Sequence, residues 1–156
     1  MSLKHTKGNL IDLAEAGAFD VIVQGCNCFN TMGSGIAREI RQRYPQAYEA
    51  DQQTEKGDIM KLGNWTAYDT GTFKIINAYT QYGFNAGGNN ADVFEYLSFQ
   101  LILQKLMEKY GKQDIGFPYI GMGLAGGDKV RIMAMIEDFA DHVTARGGSV
   151  TLVEFG

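Results

Sequence analysis

Four short apolar runs, at residues 21–23, 73–78, 115–120 and 150–155, constrain this chain more than any other feature. Each has strand length and is nearly continuous, where a strand with one wet face would alternate polar and apolar residues. Continuous apolar character is expected of strands buried on both faces, as in a parallel sheet covered by helices. Residues 64–69 read as a fifth, more exposed strand, paired with 73–78 through the turn at Thr70 and Gly71. Between the runs lie helical patterns. Ile36, Ala37, Ile40 and Tyr44 share one face, with Arg38, Arg41 and Gln42 turned outward, and Pro45 interrupts or restarts that helix. Phe94, Leu97, Leu101 and Met107 mark a long helix from near residues 90–92 to Gly111. Ile132, Met135, Ile136, Phe139 and Val143 mark a last one, capped by Asp128 and ended by Gly147. The pattern predicts an α/β fold: a three-layer α/β/α sandwich around a mostly parallel, mixed sheet, in one domain spanning residues 1–156.

Ligands in such folds bind beyond the carboxyl ends of the strands. Two glycine-rich stretches fall there. Residues 25–37 (GCNCFNTMGSGIA) follow the strand ending at Val23, and residues 118–128 (PYIGMGLAGGD) follow the run 115–120. A strand that ends in Asn and Gly and opens a helix presents backbone N–H groups suited to holding phosphate. Two such corners that converge can grip both ends of one diphosphate. Gly33 and Gly35 let the backbone approach a ligand closely, Ser34 adds a hydroxyl, and the Asn27 amide can both donate and accept toward a sugar. Neither stretch is a Walker A sequence. Gly121, Gly123 and Gly126 match the letters of a dinucleotide fingerprint, but the acidic ribose ligand that should follow would fall inside the last helix.

Several chemistries are excluded. Only two histidines and two cysteines occur, Cys26 and Cys28 in a single C-x-C, so neither a zinc site nor a disulfide framework is expected. His5 and His142 lie outside the glycine stretches, which argues against Ser-His-Asp and Cys-His hydrolases. No metal or cofactor is expected. The net charge of −4 argues against an extended nucleic-acid grip, which needs a basic stripe, although Arg38, Arg41 and Arg43 offer a local basic rim. No signal segment or apolar run of membrane-spanning length occurs, so a cytoplasmic protein without a membrane partner is expected.

KGNL at residues 7–10, DVIVQGCNC running into MGSGIA, and FPYIGMGLAGGD ahead of a helix together resemble the macro domain family, over nearly the whole chain. Within it the chain is most similar to the branch of ADP-ribose 1″-phosphate phosphatases and ADP-ribosyl hydrolases, through the C-N-C…G-x-G-I-A stretch and residues 77–81 (N-x-x-T-Q). The resemblance implies an ADP-ribose pocket. Asn9 stands where many relatives have an Asp that accepts a hydrogen bond from the adenine amino group, with Leu10 beside it. Gln24, Cys26 and Asn27 would line the distal ribose, and Gly33, Ser34, Gly35 and Ile36 the ribose and its phosphate. Gly121, Met122, Gly123, Leu124, Ala125 and Gly126 would form the diphosphate loop. Tyr82 or Phe84 would stack on a sugar or base edge.

The chain also departs from its relatives. The Asp that many carry after the first glycine loop is replaced by Ala37, Arg38 and Glu39, and Glu39 is expected on a solvated helix face. The covalent Lys of one hydrolase branch is replaced in the segment Tyr79, Thr80 and Gln81, and its companion Asp falls near Ala125. The remaining carboxylate is Asp128, which is a helix cap by position and a candidate general base. The expected activity is removal of the phosphate monoester from ADP-ribose 1″-phosphate, with Asp128 activating water and Gln24 or Asn27 orienting it. The alternatives are a non-catalytic ADP-ribose reader and an ADP-ribosyl hydrolase acting on modified protein or nucleic acid.

Overall fold

The computed structural model describes residues 2–33, 35–83, 93–123 and 125–156. The expectations placed on Ser34, Phe84 and Leu124 lie outside them. Six strands form one sheet: β1 (Lys4–Gly8), β2 (Val21–Cys26), β3 (Trp65–Asp69), β4 (Lys74–Tyr79), β5 (Asp114–Phe117) and β6 (Ser149–Phe155). Their order is β1-β6-β5-β2-β4-β3, and every neighbouring pair is parallel except β3 with β4. The mostly parallel, mixed sheet therefore has its carboxyl ends along a single edge, save for β3.

The helices are α1 (Leu10–Glu15), α2 (Gly35–Arg43), α3 (Pro45–Gln52), α4 (Tyr96–Tyr110) and α5 (Lys129–Ala145). The strands divide their residues between two cores. On one face Val21, Val23, Ile76, Ile115, Phe117, Val150 and Leu152 pack with Phe99, Ile102 and Leu106 of α4 and Ile132, Ile136 and Phe139 of α5. On the other, Ile22, Ile75 and Val153 pack with Leu10, Ile11 and Ala14 of α1, Ile40 of α2 and Ala47 of α3. Consecutive strand residues thus point to opposite helical layers, which is why the runs read as continuous.

Local chemistry sets the boundaries. Pro45 restarts the helical path as the first residue of α3, where a missing N–H breaks no intrahelical bond. Pro118 follows the last residue of β5, so the strand stops at Phe117 and does not extend to Ile120 as the apolar run suggested. The fourth helix begins at Tyr96, after extended Glu95, and not near residues 90–92. Asp128 caps α5, its Oδ1 accepting from the N–H groups of Val130 and Arg131 at 3.0 and 3.2 Å. No helix among the described residues is long and apolar enough to cross a membrane.

Candidate functional site

Both glycine stretches leave the same edge of the sheet, one from β2 and one from β5, which are hydrogen-bonded neighbours. The first is built by its own side chains. Asn27 closes a turn, accepting from the Phe29 N–H at 2.8 Å and donating to Thr31 Oγ1 at 2.7 Å. Asn30 holds a left-handed conformation, φ 59°, and its Oδ1 accepts from Lys61 Nζ at 2.6 Å. Thr54 binds the same lysine at 2.9 Å, and Tyr82 reaches over to the carbonyl of Gly57 at 2.9 Å. The Cys28 backbone completes the lacing: its N–H donates to Tyr82 and its carbonyl accepts from Gly57.

The second stretch is folded tightly on glycines. Gly121 has φ 75°, and a Cβ there would lie 2.5 Å from the Phe94 ring, so no side chain fits. The Gly121 carbonyl accepts from the Gly127 N–H at 2.8 Å, closing the loop at its base. Between the two stretches runs the segment after β4. Thr80 N–H donates to Cys26, Val93 N–H donates to Ala125, and Gln81 bridges Phe94. At Gly25 the strand end comes so close to the second stretch that a Cβ would sit 3.1 Å from Ile120 and 2.8 Å from Thr80 Oγ1. The two corners therefore meet, as their positions in the sequence suggested. Within them Gly33, Gly35 and Gly123 face open space, with no atom within 4 Å of the Cβ position.

Behind this edge lies a buried polar chain. Gln24 Nε2 donates to Asn77 Oδ1 at 2.8 Å, and Asn77 Nδ2 donates to Thr66 Oγ1 at 3.1 Å and to the Ala47 carbonyl at 3.0 Å. Thr66 Oγ1 lies 3.1 Å from Tyr79 Oη, whose proton goes to Asp51 Oδ1 at 2.7 Å. Asp51 and Lys61 are both buried. Desolvation raises the Asp51 carboxyl above the usual range, opposed by the Tyr79 hydrogen bond and the nearby Lys61 charge. Burial likewise pushes the Tyr79 hydroxyl and both thiols up, Asp51 adding to the effect at Cys26. Raised thiols are poor nucleophiles, so neither cysteine is activated for covalent chemistry. Among the described residues, Gln24 Oε1 and Thr80 Oγ1 have no hydrogen-bond partner.

The other expected site residues fall as follows. Leu10 and Cys26 are buried in the core. Ile36 and Met122 are half-buried beside it, and Ala125 is buried. Asp128 is exposed, and its N–H donates to Tyr96 Oη at 2.9 Å. Asn9 caps α1, its Oδ1 accepting from the Asp12 N–H at 2.9 Å. Its Nδ2 donates to both oxygens of Glu39, at 3.0 and 2.8 Å. This corrects the solvated face expected for Glu39, because the side chain is held by Asn9 and by Arg43 at 3.2 Å. Arg43 is also not part of a free basic rim: Asp12 and Glu15 bind it at 2.8 and 2.6 Å.

No family model matches the sequence. An uncharacterized 17.5 kDa protein of Enterobacteria phage T4 is 36% identical over 152 residues, 92% of this chain and 93% of the phage protein. The DNA ADP-ribosyl glycohydrolase of Mycobacterium tuberculosis is 28% identical over 114 residues, 70% of this chain but 31% of that longer protein. The ADP-ribose 1″-phosphate phosphatase of Aspergillus oryzae is 38% identical over 47 residues, 30% of this chain and 22% of its own. Among solved structures, the macrodomain of Mycobacterium tuberculosis DarG superposes with a TM-score of 0.74 at 17% identity, over 97% of this chain and 96% of that one. The Trypanosoma brucei macrodomain in complex with ADP-ribose gives 0.67 at 15%, over 99% and 63%. The chain belongs to the family of the phage protein and has the macrodomain fold.

In this macrodomain the segment Tyr79, Thr80 and Gln81 closes β4, and Gln81 Nε2 donates to the Gly83 carbonyl at 2.8 Å. Four side chains that shape the site are not evident as such from the sequence. Lys61 and Thr54 hold the first loop from outside it, and Tyr96 orients the backbone at Asp128. Glu39 reaches Asn9 across 30 residues. For Glu39 alone a local signal exists, the Glu39–Arg43 spacing of four, which marks an ion pair on a helix.

Proposed function

We propose that this chain, acting as one domain over residues 1–156, binds ADP-ribose along the carboxyl edge of its sheet. We further propose that it hydrolyses the phosphate monoester of ADP-ribose 1″-phosphate. The observation that carries the binding is the meeting of two glycine corners whose Gly33, Gly35 and Gly123 face open space. Backbone N–H groups can close on phosphate oxygens there without added cationic side chains. In this reading Gly121, Met122, Gly123, Leu124, Ala125 and Gly126 cradle the diphosphate. Gly33, Ser34, Gly35 and Ile36 take the distal ribose and its phosphate, with Gln24, Cys26 and Asn27 beside them. Asn9 and Leu10 receive adenine, and Tyr82 flanks a sugar.

For hydrolysis, water attacks phosphorus, the P–O bond to the ribose breaks, and ADP-ribose leaves with inorganic phosphate as coproduct. Asp128 is the carboxylate available to take the proton from water. Its Oδ1 serves the cap of α5, and its Oδ2 is the oxygen left for that task. The similarity to ADP-ribose 1″-phosphate phosphatase supports this reaction, and the similarity to DNA ADP-ribosyl glycohydrolase supports a second one, release of ADP-ribose from modified nucleic acid. Calorimetry tests the binding, with ADP-ribose expected to bind and NAD and AMP to bind much more weakly. No heat with ADP-ribose overturns the reading. Phosphorus NMR with ADP-ribose 1″-phosphate tests the chemistry: release of inorganic phosphate, abolished in Asp128→Ala, is expected. Turnover unchanged in that variant removes Asp128 from the mechanism.

A further inference from the structure

We infer that Glu39 is a positioning residue for the base: through Asn9 it makes this site select a purine carrying a 6-amino group over one carrying a 6-oxo group. The inference rests on the ADP-ribose reading above, with Asn9 at the base. Asn9 immediately follows β1, on the edge from which both glycine corners leave. Glu39 belongs to α2, the helix into which the first corner opens. A primary amide can normally present either its oxygen or its NH2, since rotation by half a turn exchanges them. Here it cannot. Oδ1 accepts from the Asp12 N–H at 2.9 Å, and Nδ2 donates to both Glu39 oxygens at 3.0 and 2.8 Å. The reversed amide would set NH2 against N–H and carbonyl against carboxylate.

Glu39 does more than lock the orientation. A hydrogen bond donated to a carboxylate is about twice as strong as a neutral one, and it polarises the donor amide so that its carbonyl oxygen becomes a better acceptor. The negative charge of Glu39 is thereby felt at Asn9 Oδ1, one residue removed from the ligand. A carbonyl oxygen has two lone pairs, and the cap uses one. The second suits an exocyclic amine, which donates, and repels a 6-oxo group, which also accepts. Arg43 at 3.2 Å keeps the Glu39 carboxylate turned toward this corner.

The experiment is calorimetric titration of the full chain with ADP-ribose and with its hypoxanthine analogue, in wild type, Glu39→Gln, Asn9→Asp and the double variant. Wild type should prefer ADP-ribose by about tenfold or more. Glu39→Gln removes the charge that polarises the amide and leaves the Asp12 N–H as the main restraint on its orientation, so the preference should fall to about threefold or less. Asn9→Asp places two carboxylates together and should weaken ADP-ribose binding. In the double variant the new Asp faces a neutral Gln, and both affinity and preference should return. A structural role alone would lower both affinities together and leave their ratio unchanged, and thermal melts confirm that each variant is folded. ADP-ribose binding with a ratio unaffected by Glu39→Gln overturns the inference and leaves the ADP-ribose reading standing. Equal wild-type affinity for the two nucleotides does the same. Failure of wild type to bind either nucleotide overturns both.

Discussion

Replacing Gly123 by Glu separates ligand binding from folding. Gly123 lies outside the left-handed region, and nothing stands within 4 Å of its Cβ position. A side chain there meets neither backbone strain nor a steric clash. Its effect on stability should match that of an ordinary surface substitution, within about 0.5 kcal/mol, or about 2 °C in the melting temperature of a chain this size. Binding should respond very differently. A carboxylate about 4 Å from a phosphate oxygen meets a repulsion of about 4 kcal/mol per charge pair at an effective dielectric of 20. Partial screening at an open edge reduces this, and a loss of about 100-fold in affinity, or about 2.7 kcal/mol, is the expected outcome. Calorimetry with ADP-ribose, paired with a thermal melt, reads both quantities on one sample. Unchanged affinity in a folded Gly123→Glu protein refutes the reasoning, because the second corner would then not hold the diphosphate.

Gly121→Ala should do the reverse, lowering the melting temperature by roughly 5–15 °C, since φ 75° and the Phe94 ring at 2.5 Å together cost about 2–4 kcal/mol; a melt within 2 °C of wild type contradicts this. The raised Asp51 carboxyl predicts a pH effect. Its folded value lies above its unfolded one, so its contribution is fully present below the usual carboxylate range and is lost as pH rises through the folded value. Denaturant titrations at pH 4 and pH 7.5 should show wild type losing stability relative to Asp51→Asn at the higher pH, and an unchanged difference counts against the buried carboxylate. Cys26 and Cys28 should react slowly with a thiol reagent at pH 7.5 in the folded protein and rapidly in guanidinium, because burial raises both thiols; fast labelling of the native chain would show that this corner opens.

The strands and helices that build the two cores were legible because their apolar residues recur at the spacing of the element concerned. Val21 and Ile22 serve opposite layers, and a run with no polar member is what such a strand must look like. The edge strand β1 was not legible. Its residues Lys4, His5, Thr6 and Lys7 are exposed, and its place is set by pairing with β6, nearly 150 residues away. The glycine corners could be read from composition, since few other residues permit such turns. The groups that hold them could not. Lys61 and Asp51 look like surface charges, and only the fold reveals that they are buried beside Tyr79. The Asn9–Glu39 contact depends on how α2 lies against the start of α1, a tertiary relation without a sequence period.

The lacing of the first corner by Lys61, Thr54 and Tyr82 bears on the thermodynamics of recognition. A loop already fixed by hydrogen bonds from residues 54–61 has few conformations left to lose when a ligand arrives. Association then proceeds without a slow ordering step, and affinity among related ligands is graded chiefly by how fast they depart. Loosening the lysine clamp would transfer the ordering of the loop to the moment of binding, with a less favourable entropy as its signature even where every atom touching the ligand is unchanged.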